Sequence, residues 1–521
     1  MELFSYLSCP WNPKRKKQRL YFCILSAFLW GLAAHGVALV TKFTFQDEPV
    51  YLFSVGSTVA SGRWFLGLLG GAVRLFFGSP NFSTPLLGGF WILFLTGLAS
   101  FQIAELLKLH RTRSLFLFCG LMVTFPVTVS LVFFNFTAPY YLVGLCLAIA
   151  GSSILCRKRG LIPFLVGVLF VIFSTAVYQS YISIFMCLAL LFFMQEVKDR
   201  PDWSLPLFFR EVLWYCGAFT VILLGYLLSV KISIALCGQE LVNYKGLSSI
   251  GNVTAADLFH RAKLALYLFV FPQKANSEAF LLPYRMLDCY YLCLVGLAGL
   301  GAVSVIQQFR VSPLRGISVF LALGFFPLAV NSIFVMCDPI EVYTLMQVSG
   351  SMPFLLLLLL ADQCKIRKKS IIQKLVLGLM TVFCVFSLRV DNATYEKARL
   401  MQERTEQYFT VMVTQIRSTP GYTAATPVAY IGDFSSFGDS TFHQIAGYSD
   451  LPFAPLRFDA TPFSIGNTWR EFINLRCGFA PPPADPASFA DLPQVQEMPC
   501  YPDYGSIQMI DDTVVVKLTS P

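Results

Sequence analysis

The feature that most restricts the fold of this chain is a series of apolar segments, each about 20 residues long, separated by short polar loops. A helix of that length crosses the ~30 Å hydrocarbon core of a bilayer. Of the 521 residues, 56% are hydrophobic and only 13% are charged, whereas soluble proteins carry about 25% charged residues. The sequence therefore predicts an α-helical polytopic membrane protein.

The charges around the apolar segments indicate their orientation. A basic run from Lys14 to Arg19 precedes the first segment, and the other strongly basic loops, such as Arg157–Arg159, fall on the same side. Because cytoplasmic loops carry an excess of Lys and Arg, we predict a cytoplasmic N-terminus; an odd number of spans then places the C-terminus outside. About eleven spans are predicted, near residues 20–40, 86–107, 115–133, 140–156, 161–177, 180–195, 207–230, 288–307, 317–336, 343–361 and 371–388.

The charge distribution also divides the chain into two domains. The net charge is +9, but residues 390–521 hold fifteen acidic and only eight basic residues. The basic excess thus belongs to the loops of a membrane domain at 1–389, which argues against a nucleic-acid-binding protein. For 390–521 we predict a small α/β extracytoplasmic domain, with a helix near 392–418, a strand at 427–432 and a hairpin at 506–518 turning at Asp511-Asp512.

Two predicted outer segments have the character of helices that lie along the membrane interface. The first extracytoplasmic loop, 41–85, contains an apolar stretch at 49–80 that is broken by glycines and holds Arg63 and Arg74. A spanning helix would hide these arginines poorly, whereas an interfacial helix keeps them at the headgroups. Residues 254–271 are predicted to be a second interfacial segment or a re-entrant one.

The first outer loop carries the best candidates for chemistry. Asp47 and Glu48 are adjacent carboxylates just after the first span, where low-dielectric surroundings could raise a carboxyl pKa toward that of a useful base. The alternative is a solvated acidic pair that only ends the helix. Arg63, next to Trp64, favours a site, because a guanidinium among apolar residues outside the membrane needs an anion such as a lipid phosphate. The alternative interpretation of Arg63 is that its long side chain only extends to the lipid headgroups.

These residues resemble a known family. The order of basic N-terminus, first span, Asp47-Glu48, Gly62-Arg63-Trp64, the Tyr178-Gln179 turn and an outer C-terminal domain resembles the membrane glucosyltransferases of the phage serotype-converting, type II O-antigen kind. That family is similar to the GT-C superfamily, whose members use polyprenyl-phosphate sugar donors on the outer face of the membrane.

The resemblance implies an enzyme of the bacterial cytoplasmic membrane and assigns roles to residues. Asp47 or Glu48 would be the catalytic base, with Asp47 preferred, and Arg63 would bind the donor phosphate. The expected partners are a polyprenyl-phosphate sugar donor, with glucose as the sugar, a surface polysaccharide acceptor and membrane lipids. Site-lining positions are expected at Trp64, Tyr178, Gln179, Asp338 and Glu341, the last two as candidates for a second acidic motif.

Three further expectations concern outer residues. Lys42 and Arg285 are cations that could meet an anionic donor, although isolated outer cations more often contact headgroups. A divalent metal at Asp47 or Glu48 could neutralise the phosphate, but no cluster with metal-ligand spacing is visible. Cys477 and Cys500 share the acidic tail, and an oxidising compartment would favour a disulfide between them.

Two alternative functions remain at this stage. A transporter or flippase for lipid-linked sugars would place polar groups near the midplane and often shows repeated halves, neither of which is visible here. A polysaccharide polymerase is harder to exclude, but we would expect its arginine-rich loop late in the membrane part.

Overall fold

The computed structural model describes residues 16–43, 58–78, 83–241, 254–275, 281–337, 342–363, 369–432, 451 and 468–519. These residues are mostly helical, with a small sheet near the C-terminus. The helices up to the end of the last apolar segment are α1 Lys16–Val40, α2 Trp64–Phe77, α3 Pro85–Leu106, α4 Thr112–Thr124, α5 Pro126–Phe133, α6 Ala138–Arg157, α7 Leu161–Val177, α8 Ile182–Asp199, α9 Leu205–Cys237, α10 Ala255–Val270, α11 Arg285–Phe309, α12 Pro313–Val330, α13 Ile333–Met336, α14 Met352–Gln363 and α15 Lys369–Arg417. Single 3-10 turns lie at Gln179–Tyr181, Pro272–Lys274 and Thr344–Met346.

Eight helices in the described part of the chain are long and apolar enough to cross a membrane. A ninth crossing results if α4 and α5, which meet at a 47° bend, are counted as one span. The bend falls at Pro126, which has no N–H to continue the hydrogen-bond ladder. The prediction of a polytopic membrane protein is confirmed.

The predicted count of about eleven spans is not confirmed, because two of the predicted segments form short helices. Helix α7 has 17 residues and α14 has 12. At about 1.5 Å per residue, α14 is only about 18 Å long, well short of the ~30 Å core. Residues 342–351, before α14, form turns and one 3-10 turn, so this helix begins at Met352 and not at residue 343, where the predicted span begins.

The basic loops of the membrane unit meet at one end of the helices, which we call the basic end. Antiparallel neighbours bring the end of α3, the end of α8 and the start of α9 together there. Carboxylates from these helix termini pair with the basic residues, so the clusters are tied to one another. The pairs are Arg19 with Glu105 at 2.5 Å, Lys108 with Asp199 at 2.7 Å, Arg111 with Asp362 at 3.3 Å, and Arg159, Arg200 and Arg210 with the buried Glu211. That this end faces the cytoplasm stays a prediction.

Both predicted interfacial segments contain helices. Helix α2 exposes an apolar side, including Leu75 at 88% and Phe76 at 83%, as expected for a helix that contacts lipid. Helix α10 begins with a capping box, in which Thr254 and Asp257 each satisfy a backbone N–H of the other. The position of these helices relative to a membrane remains a prediction.

The chain forms two compact units. The described residues up to Thr41 and from Thr58 to Asn392 belong to the first; Lys42, Phe43 and the described residues from Ala393 onward belong to the second. Helix α15 runs through the position of this division as one continuous helix, as the sequence predicted. Within the second unit, Phe43 stacks on Tyr395 with ring centroids 6.0 Å apart.

The second unit contains the predicted small α/β domain. Its sheet has three strands in the order β1-β3-β2, with β1 parallel and β2 antiparallel to β3. Asp511 and Asp512 adopt φ values of 47° and 58°, so the hairpin turn is the primed type that matches strand twist. The strand and hairpin predictions are confirmed. The elements are β1 Val428–Ile431, α16 Thr468–Cys477, α17 Ala487–Ala490, α18 Pro493–Gln496, β2 Ile507–Ile510 and β3 Thr513–Lys517.

Candidate active site

Arg63 lies at the end of a closed turn that leads into α2. The backbone N–H of Arg63 donates to the carbonyl of Thr58 at 2.7 Å, and that of Gly62 donates to the carbonyl of Val59 at 2.9 Å. Gly62 adopts a φ of +75°, a conformation that costs a residue with a Cβ about 1–2 kcal/mol. The glycine of the Gly62-Arg63-Trp64 motif therefore allows the turn to close directly before the arginine.

Side chains from two other parts of the chain hold this turn in place. Gln179 Nε2 donates to the carbonyl of Ser61 at 2.8 Å, and Tyr226 in α9 donates to the carbonyl of Gly62 at 3.2 Å. Trp64 Nε1 donates to Ser229 Oγ, also in α9, at 3.0 Å. These bonds attach the turn and the start of α2 to the end of α7 and to α9.

The guanidinium of Arg63 is oriented by three neighbours. Its Nε donates to Gln179 Oε1 at 3.4 Å, and its Nη1 donates to the Tyr141 hydroxyl at 3.5 Å. Its Cζ lies 5.0 Å from the centroid of the Tyr178 ring, within the range of a cation–π contact. These three contacts fix where the positive charge of Arg63 lies.

Tyr178 links the arginine to a later part of the chain. Its ring is 2% exposed and packs edge-on against Tyr141, with centroids 5.1 Å apart. Its hydroxyl donates to the hydroxyl of Tyr343, a half-exposed residue that follows Glu341 by two positions. We call Arg63, Tyr141, Tyr178, Gln179 and Tyr343 the Arg63 cluster.

The Arg63 cluster lies at the end of the helices opposite the basic end. Tyr141 is in the first turn of α6, whose last residue is Arg157. Helix α7 begins just after Arg159 and ends at Val177, directly before Tyr178. The cluster and the basic loops are thus separated by the full length of α6 and α7.

The structure brings together four of the predicted site residues. Arg63, Tyr178 and Gln179 are in direct contact, although 116 positions separate Arg63 from Gln179 in the chain. Trp64 is attached to them through the turn, but its indole packs edge-on against Phe173 of α7 at 5.8 Å and bonds α9. Trp64 therefore attaches the start of α2 to α7 and α9.

Other predicted residues lie elsewhere or outside the described residues. Arg285 is exposed at the start of α11 and pairs with Asp288 at 2.8 Å, and none of the contacts described above involves it. Lys42 belongs to the second unit, where its carbonyl accepts a hydrogen bond from Arg476 at 3.1 Å. The carboxylate candidates Asp47, Glu48, Asp338 and Glu341 lie outside the described residues.

The predicted disulfide between Cys477 and Cys500 is not formed. Their sulfur atoms are not bonded to each other in the structure. Cys477 ends α16, and its Sγ lies 3.9 Å from Thr410 Oγ1 of α15, so its nearest polar contact is a hydroxyl. A shared compartment is necessary for a disulfide, but the pairing also needs facing Cβ positions, which sequence spacing does not reveal.

Four residues that bond Arg63, its turn, Trp64 or Tyr178 were not predicted from the sequence. Tyr141, Tyr226, Ser229 and Tyr343 are single polar side chains within apolar segments, and tyrosine and serine are ordinary members of such segments. The signal that could have found them is the repeated presence of a lone hydroxyl near the predicted outer end of a span. Within the described ranges, no group of three or more His, Cys, Asp or Glu residues could hold a metal.

Comparison with known proteins gives one informative match. Residues 36–354 match the model of a family described as glucosyl transferase GtrII. The matched part includes the turn at Arg63, the Tyr178-Gln179 pair and Tyr343, and it ends within α14. Neither a curated protein nor a solved structure matches the chain.

Proposed function

The chain belongs to the glucosyl transferase GtrII family and is a membrane glucosyltransferase, and we propose that it transfers glucose from a polyprenyl-phosphate donor to a cell-surface polysaccharide of the O-antigen type. The reaction takes place at the outer face of the bacterial cytoplasmic membrane. In this proposal the N-terminus is cytoplasmic and the α/β unit is outside.

The observation that carries this proposal is the position of Arg63. Its guanidinium is held by Gln179, Tyr141 and Tyr178 at the end opposite the basic loops. Arg63 also directly precedes the first residue of α2, so its charge adds to the positive end of the helix dipole. A guanidinium at a helix N-terminus favours a phosphate, and the exposed apolar side of α2 offers a surface for the lipid chain that carries it.

The proposed chemistry needs one base and one group that stabilises the leaving phosphate. Asp47 or Glu48 accepts the proton of an acceptor hydroxyl, and the hydroxyl oxygen attacks the anomeric carbon of glucose. The bond between that carbon and the phosphate oxygen breaks, and its electron pair leaves with the polyprenyl phosphate. Arg63 stabilises the charge that develops on the departing phosphate.

The experiment is a transfer assay with the full chain purified in detergent, polyprenyl-phosphate glucose and polysaccharide acceptor. We expect Arg63→Gln to lower the rate by about 10²–10³, the usual cost of removing one donor to developing negative charge. Arg74→Gln is the matched control, because Arg74 is an exposed arginine of α2, the helix that Arg63 directly precedes. Equal rates for the two variants would contradict the role of Arg63.

The carboxylates are tested in the same assay. We expect Asp47→Asn or Glu48→Gln to abolish transfer while the protein stays folded and in the membrane. Normal activity of both variants would exclude the first loop as the source of the base. Failure of the unaltered protein to form product, together with flipping of the lipid-linked sugar in vesicles, would refute the proposed donor chemistry.

A further inference from the structure

Tyr343 lies beside the proposed donor site and has no role in the mechanism so far. Its hydroxyl accepts a hydrogen bond from the Tyr178 hydroxyl at 3.4 Å. The Tyr178 ring in turn carries the Arg63 guanidinium on its face, 5.0 Å from the centroid. One buried ring therefore sets the position of both a cation and a second hydroxyl.

The buried part of this arrangement is rigid by packing. Tyr178 is 2% exposed and Tyr141 is 5% exposed, and their rings meet edge-on at 5.1 Å. Tyr181, which is 3% exposed, also packs edge-on against Tyr178, with ring centroids 5.6 Å apart. Rings held in this way keep their hydroxyls in place, which is the preorganisation that an anion site needs.

The exposure of the five cluster residues separates two kinds of role. Arg63, Gln179 and Tyr343 are half-exposed, whereas Tyr141 and Tyr178 are buried. A ligand can therefore contact the three half-exposed residues, whereas the two buried tyrosines can affect a ligand only by positioning those three. A phenol that accepts a hydrogen bond can also donate its own proton, so the bond from Tyr178 orients the Tyr343 hydroxyl as a donor.

We infer that Tyr343 is a second donor-binding residue, whose hydroxyl donates to a phosphate oxygen of the lipid-linked sugar that Arg63 also binds. This inference rests on the proposed function. Tyr141 and Tyr178 are positioning residues for this pair. A phosphate has several acceptor oxygens, so it can take hydrogen bonds from the guanidinium and from the phenol at once.

Two measurements on the full-length protein test this inference: the KM for polyprenyl-phosphate glucose, and the inhibition constant of polyprenyl phosphate without sugar. Tyr343→Phe should raise both about tenfold or more, the usual effect of losing one hydrogen bond to a charged group. Tyr291→Phe is the matched control, because it makes the same chemical change at a half-exposed tyrosine outside the Arg63 cluster, and it should leave both constants unchanged.

A third variant separates ligand binding from a structural role. Tyr178→Phe keeps the ring under Arg63 and removes only the bond to Tyr343, so it should raise both constants less than Tyr343→Phe does. Equal effects of the two variants would show that donor binding depends on the hydrogen bond between Tyr178 and Tyr343, and that Tyr343 makes no hydrogen bond to the ligand. A raised KM for the donor with an unchanged inhibition constant for polyprenyl phosphate would assign Tyr343 to the sugar, and would overturn the inference.

The outcome for the unaltered protein distinguishes this inference from the proposed function. If the unaltered protein transfers glucose and Tyr343→Phe behaves like Tyr291→Phe, the inference fails and the proposed function stands. If the unaltered protein neither transfers glucose nor binds polyprenyl phosphate, both fail.

Discussion

The side chain of Gln179 accepts a hydrogen bond from Nε of Arg63 at 3.4 Å and donates one to the carbonyl of Ser61 at 2.8 Å. The second bond fixes the orientation of the amide, because only its NH2 group can donate to a carbonyl. The oxygen must then face Arg63. One amide thus holds both the arginine and the turn that carries it.

We predict that Gln179→Glu strongly impairs the enzyme. The new carboxylate cannot donate to Ser61, and it places a negative charge beside the guanidinium, where it competes with the phosphate. We expect kcat/KM for the donor to fall about a hundredfold, as misplacement of a binding group by ~1 Å commonly does. The control is Gln273→Glu, an exposed glutamine of the same unit. Similar kinetics for both variants would contradict the role of Gln179.

We predict that Tyr226→Phe weakens donor binding and stability together. The change leaves the carbonyl of the buried Gly62 without the hydrogen bond from α9, at a cost of about 1–3 kcal/mol. Thermal unfolding of the full chain in detergent and the KM for the donor are the measurements. Tyr291→Phe removes an exposed hydrogen bond to Gln273 and should change neither. An unaltered KM for Tyr226→Phe would mean that the turn does not need this attachment.

How much of this site the sequence could predict depends on the kind of residue. Arg63 was identifiable because a charge in an apolar stretch is rare, and Tyr178-Gln179 because the family resemblance marked it. Tyr226 and Ser229 were not identifiable. Tyr226 donates to the carbonyl of Gly62 and Ser229 accepts from the indole of Trp64, and nothing in the sequence shows that these distant groups lie side by side. A polytopic membrane protein was predictable from hydrophobicity. The shortness of α14 was not, because average hydrophobicity does not show where within an apolar segment a helix begins.

We predict that Glu211→Gln destabilises the membrane unit. Glu211 is 1% exposed and is shared by Arg159, Arg200 and Arg210, so its removal leaves three guanidinium groups without their common carboxylate. Breaking a fully buried ion pair costs about 3–5 kcal/mol, and the partial exposure of the three arginines lowers the expected loss below that range. Asp199→Asn, which breaks the exposed pair with Lys108, should cost only about 0–1 kcal/mol. Equal unfolding temperatures of the two variants in detergent would contradict the difference.

We predict that replacing Asp511-Asp512 by Asn-Gly stabilises the second unit. Both residues have positive φ, and Asn-Gly is the pair that favours this primed turn. The gain should be up to about 1 kcal/mol, measured as slower amide hydrogen exchange in β2 and β3. Asp491→Gly is the control, since Asp491 has a φ of −91° and gains nothing from glycine. Faster exchange in the Asn-Gly variant would refute the prediction.

We predict that Cys477 and Cys500 are recovered without a disulfide between them after purification without reductant. Burial raises the pKa of the Cys477 thiol above its ordinary value. Below that pKa, the thiolate fraction and hence the alkylation rate of Cys477 should rise about tenfold per pH unit. Mass spectrometry after maleimide labelling between pH 7 and 9 measures this. A peptide pair linked through the two cysteines would show that the disulfide forms after all.

The turn that carries Arg63 depends on hydroxyl and amide groups from distant parts of the chain. Exchange of the first loop, residues 41–85, between two related enzymes would therefore transplant an arginine without Gln179, Tyr226 and Ser229. To keep the turn with its attachments, a chimera needs the whole block from the first loop through α9 to come from one parent. Because Tyr343 lies beyond α9 and contacts Tyr178, a crossover that keeps the whole Arg63 cluster together comes no earlier than the end of α14 at Gln363.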